Sequence, residues 1–262
     1  MKPVALVGGG GSGIGRAIAR RLADDGMTVV ISGRRPDVLA STAADLNADI
    51  ATGAPRVLWV AGDVTVAGET TEVVRVARRE AGEIDVLVLN AGGPPPTTVL
   101  AAEEAAWHEA FELLLLGPLR LAKDVLPVMA ERGWGRVVLI TSAIVRQPVP
   151  DLGLSVVLRS AATAMAKLLS LEYAGSGVTI NCVAPGPTVT GRRTQILEAR
   201  AARESVGLAC AEAADVSKVP VGRAGRAEEV AAAVGWLVSD AAAFVNGTVL
   251  TVDGGLTALV TT

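Results

Sequence analysis

Apolar residues in this chain fall into short runs, separated by stretches in which they recur every three or four positions. Residues 4–7 (VALV), 28–32, 56–61, 85–89, 136–141, 179–183 and 248–252 have the length and character of strands, the first of them buried on both faces. After the first run, Ile14, Ile18 and Leu22 share one side of a helix, with Arg16, Arg20 and Arg21 on the other. Helical stretches also cover residues 36–48, 67–81, 103–131, 152–174 and 227–238, the longest disturbed at Gly117-Pro118 and Pro127. Residues 188–218 read as irregular or helical. Regular alternation of strand and helix predicts an α/β fold: a single doubly wound parallel sheet flanked by helices on both faces. No linker or shift of composition interrupts it, so residues 1–262 are expected to form one domain. Ligands on such sheets sit beyond the carboxyl ends of the strands. The loops after Val7, Ser32, Ala61, Leu89, Thr141 and Val183 are therefore expected to ring one site.

The first of those loops carries the clearest chemistry. Gly8 to Gly11 are followed by Ser12-Gly13-Ile14-Gly15, between a strand and a helix. Glycines permit a tight turn and a close approach by a ligand. The N–H groups and positive dipole end of the helix then suit a pyrophosphate, which makes Gly9, Ser12, Gly13, Ile14 and Gly15 a dinucleotide cradle. A carboxylate usually follows the second strand when the dinucleotide is NAD, because it binds the ribose 2′-hydroxyl. Here the sequence reads Ser32-Gly33-Arg34-Arg35, and two guanidiniums suit a 2′-phosphate, so NADP is favoured over NAD. After the third strand, Asp63 has two readings: acceptor for an adenine amino group, or turn aspartate. After the fourth, Ala91 and Gly92 allow close approach to a ribose, while Asn90 can fix the turn. The single histidine, His108, has no evident orienting partner, and Cys182 reads as a small core residue. One histidine and two distant cysteines do not make a zinc site.

Composition removes several other classes. A net charge of −3 argues against nucleic acid as a partner, and 3% aromatic residues leave no stacking platform for single strands. Two cysteines, Cys182 and Cys210, do not form a disulfide framework, so a reducing compartment is expected. No signal peptide precedes the first strand and no apolar run reaches the length of a membrane span, which gives the expectation of a cytoplasmic protein acting on a small molecule.

With these motifs in order, the whole chain resembles the short-chain dehydrogenase/reductase family, close to its 3-oxoacyl-carrier-protein reductases. The family's Thr-Gly-x-x-x-Gly-x-Gly aligns with residues 8–15, its threonine replaced by Gly8. Asp63-Val64 matches its adenine contact, and Asn90-Ala91-Gly92 its Asn-Ala-Gly. Pro185-Gly186 matches the turn beside the nicotinamide, with Thr188 and Thr190 where the family contacts the carboxamide and phosphates. Asn246-Gly247 and residues 252–255 resemble its C-terminal signature, and residues 188–218 correspond to its substrate lid. The resemblance implies a Rossmann-type sheet, an NADP cofactor and a homotetramer or homodimer.

The catalytic positions depart from the family. Its serine matches Ser142, but its tyrosine position is Ser155, its lysine position Arg159 and its asparagine position Leu114. The one tyrosine, Tyr173, lies about five helical turns past Ser155 and cannot substitute. The resemblance is thus to an atypical subgroup lacking the catalytic Tyr and Lys. Serine is a far weaker acid than tyrosine, and arginine does not act as a base, so a Ser–Arg hydrolase pair is excluded. What remains for Ser142, Ser155 and Arg159 is carbonyl binding, ribose binding and a fixed positive charge. The expected function is NADP-dependent reduction of a 3-oxoacyl-like carbonyl by an altered proton path. The alternatives are a non-redox nucleotide-binding regulatory or partner protein, and non-redox elimination or isomerisation in the same pocket.

Overall fold

The computed structural model describes residues 2–48 and 56–258. Seven parallel strands pair in the order β3-β2-β1-β4-β5-β6-β7: β1 (Val4–Gly8), β2 (Thr28–Gly33), β3 (Val57–Ala61), β4 (Val86–Leu89), β5 (Gly135–Ile140), β6 (Val178–Pro185) and β7 (Val249–Val252). The order reverses between β1 and β4, where Ala5, Leu6 and Val7 pair with Val86, Leu87 and Val88. A crevice opens at such a reversal, beyond the carboxyl ends of the two strands.

The helices are α1 (Gly13–Asp24), α2 (Pro36–Ala48), α3 (Ala67–Ala81), α4 (Glu104–Phe111), α5 (Gly117–Glu131), α6 (Gly153–Glu172), α7 (Gly191–Glu204), α8 (Leu208–Val216) and α9 (Ala227–Val238). Because strand side chains alternate, the sheet feeds two cores. Ala5 and Val7 pack with Ile18, Leu22, Val234 and Leu237 of α1 and α9 on one face. Leu6 and Leu87 pack with Val73, Leu126, Met129 and Ala166 of α3, α5 and α6 on the other. The central strands are buried on both faces, which is why they read as unbroken apolar runs.

Three readings change, and the helical reading of residues 188–218 is borne out. The helical stretch over 103–131 is divided by a π-helical turn, Glu112–Leu116. Pro118 has no N–H for the carbonyl of Leu114, and Gly117 admits Val64, whose Cγ2 would lie 2.3 Å from an added Cβ. Pro127, by contrast, stays inside α5. The sixth strand continues to Pro185, because Ala184 and Pro185 still pair with Thr251 and Val252. Residues 188–218 hold two helices, α7 and α8, joined by a small apolar cluster of Leu197, Ala201 and Ala211. Finally, α6 is long and apolar enough to cross a membrane by length and composition, contrary to the expectation that no segment is. In the fold one side of it packs on β6: Leu158, Ala162 and Ala166 are buried, and Leu168 and Leu171 are exposed.

The start of α9 carries a pH-sensitive contact. Glu229 accepts from the backbone N–H of Arg226 at 2.7 Å and from both terminal nitrogens of Arg223 at 2.6 and 2.8 Å. The Arg223 hydrogen bond, then the Arg226 backbone, hold its carboxyl down at about 2. A depressed carboxylate contributes stability above its unfolded pKa and loses it as pH falls toward the folded one. Replacing Glu229 by Gln should therefore lower the thermal midpoint at pH 6 and leave it unchanged near pH 2. An equal shift at both pH values in a calorimetric scan would contradict this.

Candidate functional site

The glycine turn sits at the mouth of the crevice and is fixed from three sides. Gly9 has φ +60°, a left-handed conformation that glycine adopts without strain, and an added Cβ would meet the Nδ2 of Asn90 at 2.8 Å. A Cβ on Gly15 would lie 2.2 Å from the carbonyl oxygen of Gly9. The Asn90 amide donates to the Gly8 carbonyl at 3.0 Å, tying the end of β4 to the end of β1 across the sheet reversal. From α2, the Thr42 hydroxyl donates to the Gly11 carbonyl at 3.0 Å. Ser12 caps α1 by position but its side chain accepts no capping hydrogen bond, so the first-turn N–H groups are left to a ligand. A backbone cradle that a single Cβ would fill, at an uncapped helix start, fits a dinucleotide pyrophosphate.

Around this cradle, Arg34 and Arg35 are exposed beyond β2, and their guanidiniums make no hydrogen bond or ion pair among the described residues. Asp63 serves its own turn: its Oδ1 accepts from the Thr65 backbone at 2.9 Å and the Thr65 hydroxyl at 2.8 Å. The turn reading is thereby borne out, and Oδ2 receives no hydrogen bond among the described residues. Val64 is half-buried against Gly117. Ala91 and Gly92 continue the β4 loop, and Pro185 ends β6 beside Gly186. The Thr188 hydroxyl donates to the Gly186 carbonyl, and Thr190 caps α7 by accepting from the Arg193 N–H at 3.3 Å. Thr190 also lies against the glycine turn, 3.3 Å from where a Cβ on Gly13 would be. That contact brings the segment after β6 over the start of α1.

Ser142 follows β5 and accepts from the Ile144 N–H at 3.4 Å. Ser155 and Arg159 lie one turn apart on α6. Ser155 is 5% exposed and its hydroxyl makes no hydrogen bond among the described residues. The Arg159 guanidinium donates to the carbonyls of Ile140 (3.0 Å), Thr141 (3.3 Å) and Gly92 (2.9 Å), and so joins the ends of β4 and β5. Burial, and then the charge of Arg192, lower its pKa to about 10, which still leaves it protonated at neutral pH. Beside it is a narrow cavity walled by Leu89, Leu114, Leu139 and Thr141. Leu114, on the π-helical turn, is 4% exposed and presents carbon where a polar side chain would reach this cavity. His108 lies outside the site, exposed on α4, with Glu104 at 3.6 Å.

A family model described as enoyl-(acyl carrier protein) reductase matches residues 9–257. The chain is 35% identical over 261 residues to a cis-4-hydroxycyclohexanecarboxylate dehydrogenase of Sinomonas cyclohexanicum, covering 98% of this chain and 97% of that protein. The chain belongs to the short-chain dehydrogenase/reductase family. Two solved structures share the architecture of this reductase-family chain. A variant of actinorhodin polyketide ketoreductase with NADPH has a TM-score of 0.93 and 33% identity, over 98% of both chains. The L-sorbose reductase of Gluconobacter frateurii, complexed with NADPH and L-sorbose, has a TM-score of 0.92 and 29% identity, over 99% of this chain and 98% of that one.

Two side chains in this short-chain dehydrogenase/reductase site escaped the sequence reading. Thr42 lies on the helix after β2, far from any motif, and only the fold shows that it holds the glycine turn. Arg192 donates to the carbonyl of Pro94 in the β4 loop, while its neighbour Arg193 turns to Glu212 and Asp215 of α8. An arginine doublet gives no sequence signal of which member faces inward, because consecutive helical residues point about 100° apart.

Proposed function

We propose that the protein is an NADP-dependent oxidoreductase that reduces a small 3-oxoacyl-like carbonyl compound without the family's tyrosine proton donor. The observation that carries this reading is the Arg159 guanidinium, fixed on three carbonyls where β4 and β5 end, next to an intact glycine cradle. A nicotinamide dinucleotide bound in that cradle supplies hydride. The chain's own residues do the rest. Gly9, Gly13 and Gly15 with the start of α1 hold the pyrophosphate, and Arg34 and Arg35 the 2′-phosphate. The Ser142 hydroxyl donates to the substrate carbonyl oxygen. Arg159, protonated throughout the neutral range, steadies the negative charge that develops there. Neither Arg159 nor Ser155 is acidic enough to give up a proton readily, so the proton comes from water or from the substrate's own acid. The NADPH named in both solved relatives supports the cofactor assignment.

One observation favours a second reading. Leu114 lines the cavity beside Arg159 with carbon, and no tyrosine stands at position 155, which suits a protein that binds NADP but turns nothing over.

The cofactor assignment has a direct test. One charge-assisted contact is worth roughly 1.5–3 kcal/mol, so NADPH should bind about ten- to a hundredfold more tightly than NADH. Arg34→Glu should narrow or reverse the difference. Equal affinities in a fluorescence titration of the wild type would contradict the assignment.

A further inference from the structure

A second cation stands at the site, and the proposed reduction leaves it unused. Arg192 lies in the first turn of α7, with its guanidinium over Gly93: an added Cβ there would be 3.2 Å from Nη2 and 3.3 Å from Nε. It donates to the Pro94 carbonyl. Arg159 reaches the same short segment from α6 through the Gly92 carbonyl. Two guanidiniums from different helices are thereby brought together on Gly92, Gly93 and Pro94. Their charges act on each other: Arg192 is the second influence, after burial, that lowers the Arg159 pKa, and burial lowers that of Arg192 as well.

Neither guanidinium has a carboxylate partner among the described residues. The acids nearby in the fold are committed elsewhere, Asp151 to Arg203, and Glu212 and Asp215 to Arg193. Like charges held together in a partly desolvated place repel unless an anion joins them. Of this turn, Thr190 lies against Gly13 of the cradle, whereas the Arg192 guanidinium lies against Gly93 and Pro94 of the β4 loop, which leaves the pyrophosphate to the cradle. Guanidinium forks match the two oxygens of a planar carboxylate, and the cavity beside Arg159 is walled by Leu89, Leu114 and Leu139, with the Thr141 hydroxyl already given to the Val183 carbonyl.

We propose that Arg192, with the charge of Arg159 beside it, binds a carboxylate of the substrate, so that the compound reduced is an oxo acid rather than a neutral ketone or ester. The proposal rests on the oxidoreductase reading for its substrate, but the anion site is testable without turnover. Calorimetric titration of the protein, with and without saturating NADP, uses a panel of 2-, 3- and 4-oxo acids and their methyl esters. At least one acid should bind about tenfold or more tightly than its ester, as expected for a charge-assisted pair. Arg192→Gln should abolish that preference and leave NADP affinity within about threefold, and Arg192→Lys, which keeps the charge but not the fork, should retain part of it. The proposal is overturned if no acid is preferred over its ester, or if Arg192→Gln weakens NADP tenfold while the acid preference survives. It is also overturned if inorganic phosphate displaces the acid at equal concentration. A wild type that fails to bind NADP but still prefers the acid would defeat the oxidoreductase reading and leave the anion site standing.

Discussion

Replacing Ser155 by Tyr together with Arg159 by Lys should raise the rate of NADPH-linked carbonyl reduction by about 10²-fold or more, the usual contribution of a positioned general acid. Ser155 is buried one helical turn from a guanidinium that already lies at the ends of β4 and β5. A tyrosine there has a reference pKa of about 10, lowered by the adjacent cation into a range where it gives a proton readily. The gain is limited by Leu114, whose side chain lines the cavity beside residue 159 and offers no polar group for a relay. Leu114→Asn should therefore help only when the first two changes are present, as expected of groups that act as one unit. Since a tyrosine at a buried position can disturb packing, NADPH affinity serves as the control for an intact fold. A well-folded double variant with no gain would mean that residues 155 and 159 do not face the reacting carbonyl.

Gly15→Ala should abolish tight nucleotide binding, with a loss of about a hundredfold or more. The added Cβ would lie 2.2 Å from the Gly9 carbonyl oxygen and 2.9 Å from the Asn90 Nδ2. Neither is a flexible side-chain end: one is the backbone of the turn, the other is held by its own hydrogen bond to Gly8. The turn must shift, and overpacking of this kind typically costs about 1–3 kcal/mol. Here the strain falls on the atoms that would face the pyrophosphate, so binding suffers more than stability. An unchanged NADPH affinity with a collapsed thermal midpoint would assign Gly15 to helix packing alone.

The fold was readable because its strands announce themselves. Runs such as residues 4–7 and 137–140 are apolar on both faces, and glycine or proline follows most of them within two residues. The π-helical turn was not readable in kind: Gly117-Pro118 signals a disturbance, but the packing of Val64 against Gly117 decides its form. In the site, motif residues were legible as positions, and their partners were not. Asn90 could be placed after β4, yet its bond to the Gly8 carbonyl depends on two strands adjacent only in the sheet. Arg159 stood out because the resemblance puts it at the family's lysine position, whereas Arg192 was one of two equivalent arginines until α7 gave them different directions.

The proposed function joins a nicotinamide site to the absence of the family's proton donor, and one paired measurement addresses both parts. Wild type and the Ser155→Tyr/Arg159→Lys variant are titrated with NADPH and then given the same panel of oxo acids, with NADPH consumption followed under identical conditions. The account predicts saturable NADPH binding of similar strength in both proteins, with wild-type turnover about 10²-fold or more below the variant's. Failure of the wild type to bind NADPH, or turnover equal to the variant's, would contradict it.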